Sequence, residues 1–163
     1  MKPGVIAAAL LLAGSASAQH QTGRDREKHY LEGAGMGYAR AAELNHFPGP
    51  MHVLELADQL KLSAEQRAAT KALMDAHKAQ ARSLGAEVVA AERDLDRLFR
   101  GGKVDEAVLA RAARTAAAVE GEYRLSHLET HRRMRDLLTA EQVRRYDELR
   151  GYGAAKPEHK HQH

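Results

Sequence analysis

The chain of 163 residues contains no cysteine and no tryptophan. Without cysteine there can be no disulfide framework, thiol nucleophile, CxxC zinc site or iron–sulfur cluster. Aromatic residues amount to 4%, with two Phe and five Tyr, and proline to four residues. A β-sandwich builds its core from aromatic and β-branched side chains, so this scarcity argues against one. A large charge excess is also missing, since 25 Lys and Arg face 22 Asp and Glu for a net charge of +3. The two signs alternate along the chain, as on a solvated surface rather than a nucleic-acid or membrane-binding face. What is abundant is Ala, at 31 residues, with ten His and five Met. Ala favours helices and thin, close helix contacts, so the expected class is all-α, in one small domain.

Met1 to Ala18 reads as a secretory signal peptide. Lys2 gives the positive start, Val5 to Ala13 is an apolar run too short to span a bilayer, and Ala16-Ser17-Ala18 has the small-x-small cleavage pattern. Cleavage is expected after Ala18, leaving an exported chain with the periplasm as its natural compartment and no membrane insertion. Gln19 to about Lys28 is polar and aperiodic and is expected to be disordered. The helical domain is expected over 29–152 and a His-rich disordered tail over 153–163. Within the domain, His29 to Asn45 is weakly helical because of Gly33, Gly35 and Gly37. Phe47-Pro48-Gly49-Pro50 breaks any helix, and a short one follows over Met51 to Leu60.

Two long helices carry the pattern. From Ala64 to Arg100 an apolar stripe steps by threes and fours through Leu73, Ala76, Gln80 (a lapse), Leu84, Val88, Ala91, Leu95 and Leu98. Gly101-Gly102 ends it. Asp105 is the expected N-cap of the second helix. Its stripe is Val108, Ala112, Ala116, Val119, Tyr123, His127, Thr130 or His131, Met134 and Leu137. A last short helix runs from Ala140 to about Arg150. The short turn makes the long helices antiparallel. An Ala-lined hairpin buries little surface by itself, so a homodimer is expected.

One pattern occurs twice, Leu62-Ser63-Ala64-Glu65-Gln66 and Leu138-Thr139-Ala140-Glu141-Gln142. Ser63 and Thr139 are N-caps with Gln66 and Gln142 three residues on, which is the capping box. Its role is to start helices.

The doubled L-[ST]-x-x-Q pattern around a long helical hairpin, behind a signal peptide, resembles the Spy/CpxP family of periplasmic proteins. The likeness covers Met51 to Tyr152 and includes Leu125-Ser126-His127-Leu128-Glu129-Thr130, which matches the family's L-x-H-x-E-T. The resemblance implies a cradle-shaped antiparallel dimer that acts as an ATP-independent chaperone or an envelope-stress modulator. Its partners would be unfolded envelope proteins or a membrane sensor protein. Candidate client-surface cations are Arg82, Arg93, Arg97, Arg111, Arg114 and Arg124. A sister group, the CnrX- and ZraP-like periplasmic heavy-metal sensors, adds His-based metal sites. Here His52 stands where that pattern has its first His, but Leu56 replaces the second. Thr130 stands where a further His would be, flanked by His127 and His131.

Spacing gives a metal reading of its own. His127, His131 and Met134 share a helix face. Pairing about Gly101-Gly102 puts residues whose numbers sum to about 203 at one level. His77 then faces Ser126, beside His127, and Met74 faces Glu129. With His52 folding over this end, His52, His77, His127, His131, Met74 and Met134 form a candidate site for Cu, Ni, Co or Zn. The alternative is that these side chains are ordinary neutral residues at the edge of the stripe. His159, His161 and His163 in the tail form a second, weaker metal-capturing group. No cofactor is required. There is no nucleophile elbow, phosphate loop or pocketed carboxylate pair, so an enzyme is not expected.

Overall fold

The computed structural model describes residues 23–152, so the expected signal peptide and His-rich tail lie outside the described residues. Helix α1 covers 23–32, followed by α2 (Arg40–Glu43), α3 (Pro50–Glu55), α4 (Ala64–Arg100), α5 (Glu106–Leu137) and α6 (Ala140–Arg150). There is no strand among the described residues. The fold is all-α, built on an α4–α5 hairpin whose helices reach roughly 55 and 48 Å at 1.5 Å per residue.

Local chemistry sets the helix ends. The Ser63 Oγ accepts from the Gln66 N–H at 3.1 Å, while the Gln66 side chain accepts from the Ser63 N–H at 3.1 Å. Thr139 and Gln142 repeat this box at the start of α6. Asp105 caps α5 by accepting from the Val108 N–H at 3.0 Å. Gly151 closes α6 in the left-handed region at φ 75°, where glycine alone carries no side-chain penalty.

Two apolar clusters hold the hairpin. At its open end Val53, Ala57, Leu60, Leu62, Leu73, Met134, Leu138, Val143 and Tyr146 pack together, joining α3 and α6 to the long helices. Leu138 and Val143 bracket the Thr139 cap as a hydrophobic staple. Further along, Tyr30, Ala81, Val88, Val89 and Tyr123 form the second cluster. Beyond Ala91 on α4 and before Ala116 on α5 no residue is buried, and Phe99 is 61% exposed.

Several expectations are corrected. Residues 23–32 are helical, not disordered up to Lys28, because tertiary contacts supply what local propensity lacks. Tyr30 is buried, Arg26 pairs with Glu120 at 3.1 Å, and Glu27 pairs with Arg93. That helix ends at Gly33, at φ 70°. The short helix after Pro50 stops at Glu55, not Leu60, and turns carry the chain to Lys61. The α4 stripe passes through the half-buried His77 and the buried Ala81, while Ala76 and Gln80 are exposed. The lapse at Gln80 therefore marks a step of four on each side of His77, which brings an imidazole into the helix interface.

Candidate functional site

The repeated motif does more than start helices. The Gln66 Nε2 donates to the Gln142 Oε1 at 2.8 Å, and the Gln142 Nε2 donates to the Gln66 Oε1 at 2.9 Å. The second N–H of each amide reaches a backbone carbonyl of the other motif's approach, Leu137 at 2.9 Å from Gln66 and Leu60 at 3.3 Å from Gln142. Each side-chain oxygen also accepts from its own N-cap amide. Both side chains thus use their full hydrogen-bonding capacity. They fix the register, in which Gln66 lies level with Leu137 and, further up, His77 level with His127.

The His77 and His127 rings meet edge to face across the hairpin, with centroids 4.5 Å apart. His127 is buried and stacks on Tyr123 at 4.7 Å, and Tyr123 in turn lies between Tyr30 and Tyr38 at 5.1 and 5.5 Å. The arm containing α1 and the glycine-rich loop covers this group. The Tyr123 hydroxyl donates to the Ala34 carbonyl at 2.7 Å, and Gly35 lies over the His127 ring. Tyr30, Tyr38 and Arg26 converge on Glu120, whose carboxyl their hydrogen bonds, Tyr38 foremost, hold below its ordinary value. Burial pushes the Tyr38 hydroxyl up, and its bond to Glu120 adds to that.

Electrostatics keep both imidazoles neutral. Burial, together with the like charges that His127 and His131 would carry, pushes His77 down to about 4. Burial also lowers His127, only partly opposed by the carbonyls of Tyr123 and Gly33. The His127 Nδ1 donates to the Tyr123 carbonyl at 2.9 Å, leaving Nε2 as the unprotonated nitrogen. Among the described side chains the buried polar atoms without a hydrogen-bond partner are His77 Nδ1, His127 Nε2 and Asp147 Oδ1.

The six-residue metal cluster read from the sequence is not assembled. His131 donates from Nδ1 to the Phe47 carbonyl at 2.8 Å and lies against Gly49. His52 turns to Glu55 at 2.9 Å, with Glu43 4.0 Å away. Met134 is fully buried in the open-end core and Met74 is half-buried. No group of three or more His, Asp or Glu among the described residues is arranged to hold a metal ion. The reason is the two prolines around Gly49. They fold the α2–α3 segment so that its backbone occupies His131 and its carboxylates occupy His52. The tail histidines His159, His161 and His163 lie outside the described residues.

The client-surface cations divide. Arg93 pairs with Glu27 and Arg97 with Asp94, while Arg124 stacks over the Tyr38 ring at 5.0 Å. Arg82, Arg111 and Arg114 are exposed and form no ion pair among the described residues. Sequence reasoning missed the His46–Asp147 contact, 2.6 Å between Nδ1 and Oδ2, with His46 held at φ 70°. It also missed the contact of Gly85 with Tyr30. A lone glycine inside a long helix was the available signal, since it costs helix stability, but Gly121 gives the same signal with open space around it.

No helix of the described residues is long and apolar enough to cross a membrane. Neither a curated protein nor a solved structure matches the chain. A model of the LTXXQ motif family protein matches residues 50–150, from the first turn of α3 to the last of α6. That span holds both capping boxes, the paired glutamines and the whole hairpin, and the chain belongs to the LTXXQ motif family, the Spy/CpxP-like periplasmic proteins.

Proposed function

We propose that this chain is an ATP-independent periplasmic binding protein, a chaperone or envelope-stress modulator that holds unfolded or partner polypeptides on its helical surface. The observation that carries the reading is the outer half of the hairpin. Arg111 and Arg114 line a shallow surface cleft with Ala107, Ala110, Thr115 and Ala118. Phe99 and Val108 are large apolar side chains left exposed at this end of the two long helices. Cations that form no ion pair among the described residues, interleaved with exposed apolar groups, suit loose contact with many sequences. Charge speeds encounter, and apolar area retains the client without a fixed geometry. The family's non-enzymatic character agrees with a binding role. A homodimer belongs to the same reading, because a second copy would cover part of the thin hairpin and extend the surface.

The test is aggregation of a chemically unfolded client diluted into buffer with the protein lacking Met1–Ala18, without nucleotide. Suppression at near-equimolar ratio is expected. Unchanged aggregation at molar excess overturns the reading. Light scattering of the same preparation reads the oligomeric state, with a dimer expected.

A further inference from the structure

We propose that the middle of the hairpin carries a helix-binding groove, occupied by the chain's own arm, that receives an amphipathic helix of a partner polypeptide built on the arm's pattern of cation, carboxylate and aromatic side chain. This second surface goes beyond the polypeptide-binding reading of the outer hairpin and does not depend on it.

The arm shows what the groove recognises. Tyr30 is buried, and its ring meets Tyr123 edge to face at 5.1 Å between centroids. Its backbone lies in a notch at Gly85, where a Cβ would stand 2.0 Å from the Tyr30 carbonyl oxygen. Ala81, Val88 and Val89 complete the apolar floor with Tyr123. One charge of each sign flanks that floor: Glu120 pairs with Arg26 at 3.1 Å, and Arg93 pairs with Glu27. The recognised pattern is Arg26-Glu27-Lys28-His29-Tyr30, a basic and an acidic residue one turn ahead of an aromatic one. A missing Cβ sets the shape of the seat, and two opposite charges set the orientation of the helix in it.

The arm is held lightly enough to be exchanged. Of residues 23–32 only Tyr30 is buried, and both ion pairs are partly exposed and add little. A helix as short as α1 is marginal in water by itself. Left-handed backbone at Gly33 (φ 70°), Met36 (φ 43°) and Gly37 (φ 79°) forms a hinge behind it, and Met36 carries a side-chain penalty there. The span matched by the family, 50–150, holds every residue of the groove and none of the arm. Tethering keeps the arm at an effective concentration on the order of millimolar, so a second copy's arm gains nothing over the resident one. A partner helix longer than α1 does gain. A cleft of about 530 Å³ continues the groove toward the hairpin tip, lined by Arg24, Val89, Glu92, Arg93, Asp96 and Arg100.

The experiment uses the full chain, with a fluorescent peptide of the arm's own sequence, residues 23–39, as the probe and its anisotropy as the readout. The proteins are the wild type, Tyr30→Ala, Gly85→Ala, Tyr30→Ala combined with Gly85→Ala, and Glu120→Arg. In Tyr30→Ala the resident arm loses its anchor while the groove stays intact, so the probe should bind at least about tenfold more tightly than to the wild type. Filling the notch should abolish that binding. Neither Gly85→Ala nor the double variant should take the probe, although the arm is free in both. Glu120→Arg should bind a probe carrying Arg26→Glu about two- to fivefold better than the unaltered probe, and this pair carries the test should Tyr30→Ala lose its helical signal. No binding by Tyr30→Ala, wild-type binding as tight as that of Tyr30→Ala, or equal binding with and without the Gly85→Ala change overturns the proposal. A fall from dimer to monomer in Tyr30→Ala, read by light scattering, places a second copy's arm in the groove and overturns the assignment to a partner polypeptide. Binding is read without an unfolded client, so its outcome is separate from that of the aggregation assay.

Discussion

Gln66 and Gln142 form a closed amide pair, each donating to the other's side-chain oxygen at 2.8 and 2.9 Å. A motif that begins two helices thereby also welds the open end of the hairpin. The pairing ties the start of α4 to the start of α6 through the carbonyls of Leu60 and Leu137. Replacing either glutamine by Ala leaves the other's amide and one carbonyl unpaired in a partly buried setting. Each single change should cost about 1–3 kcal/mol. The double variant should cost less than the sum by about 1 kcal/mol, because the second removal breaks contacts already lost. Urea unfolding of the four proteins measures this, and strict additivity would show that the pair contributes nothing jointly.

Two glycines in the long helices should respond with opposite sign. A Cβ on Gly85 would lie 2.0 Å from the Tyr30 carbonyl oxygen, so the arm cannot stay docked in Gly85→Ala. The arm carries the buried Tyr30, and losing such a side chain from the core costs about 1.5–3 kcal/mol, against a helix-propensity gain of up to about 1 kcal/mol. A Cβ on Gly121 meets nothing within 4 Å, so Gly121→Ala should gain up to about 1 kcal/mol. Thermal melts give the signs. Hydrogen exchange in Gly85→Ala should speed up over 23–39 and stay slow in α6; uniform protection throughout would refute the arm's dependence on this notch.

Acid should loosen the fold through its middle. His77 and His127 both sit below the ordinary value of 6.5 in the folded chain, His77 at about 4, chiefly through burial. The unfolded chain therefore binds more protons than the folded one between these values. Stability rises with pH across that window, is fully present above about 6.5, and is lost as pH falls toward 4. Because His77 is only part-buried, solvent screening reduces its share. Metal-free urea unfolding at pH 7, 6, 5 and 4 should show the decline, and His127→Asn should flatten it. Equal slopes in the two proteins would place the pH dependence elsewhere.

Much of the fold was legible because its determinants are local. The capping boxes at Ser63 and Thr139, the Asp105 cap and the Gly101-Gly102 turn lie within a few residues of the ends they define. The hairpin register then followed by counting, and His77 does meet His127. What escaped depends on residues far apart in the chain. The helicity of 23–32 rests on Glu120 and Arg93, nearly a hundred and some seventy positions away. The Gln66–Gln142 pair needs both helix starts to be side by side, which no local pattern encodes. The six-residue metal cluster failed for the same reason: helical spacing puts His131 and Met134 on the right face, but the fold of Phe47 to Pro50 claims His131, and the apolar core claims Met134.

Reversing the charge at Arg111 and Arg114 should separate binding from folding. Both guanidinium groups are exposed and unpaired among the described residues, so Arg111→Glu with Arg114→Glu should shift stability by no more than about 0.5 kcal/mol for each site. If these cations draw clients to the hairpin, the double variant should protect an unfolded client several-fold less well at low salt. The wild type should lose most of the same advantage when salt is raised to about 0.5 M, where the screening length falls well under 8 Å. The double variant should then be nearly insensitive to salt. Adding Phe99→Ser should reduce the residual protection that persists at high salt, since that part rests on apolar area. Wild-type protection that is indifferent to both salt and charge reversal would remove the outer hairpin as the client surface.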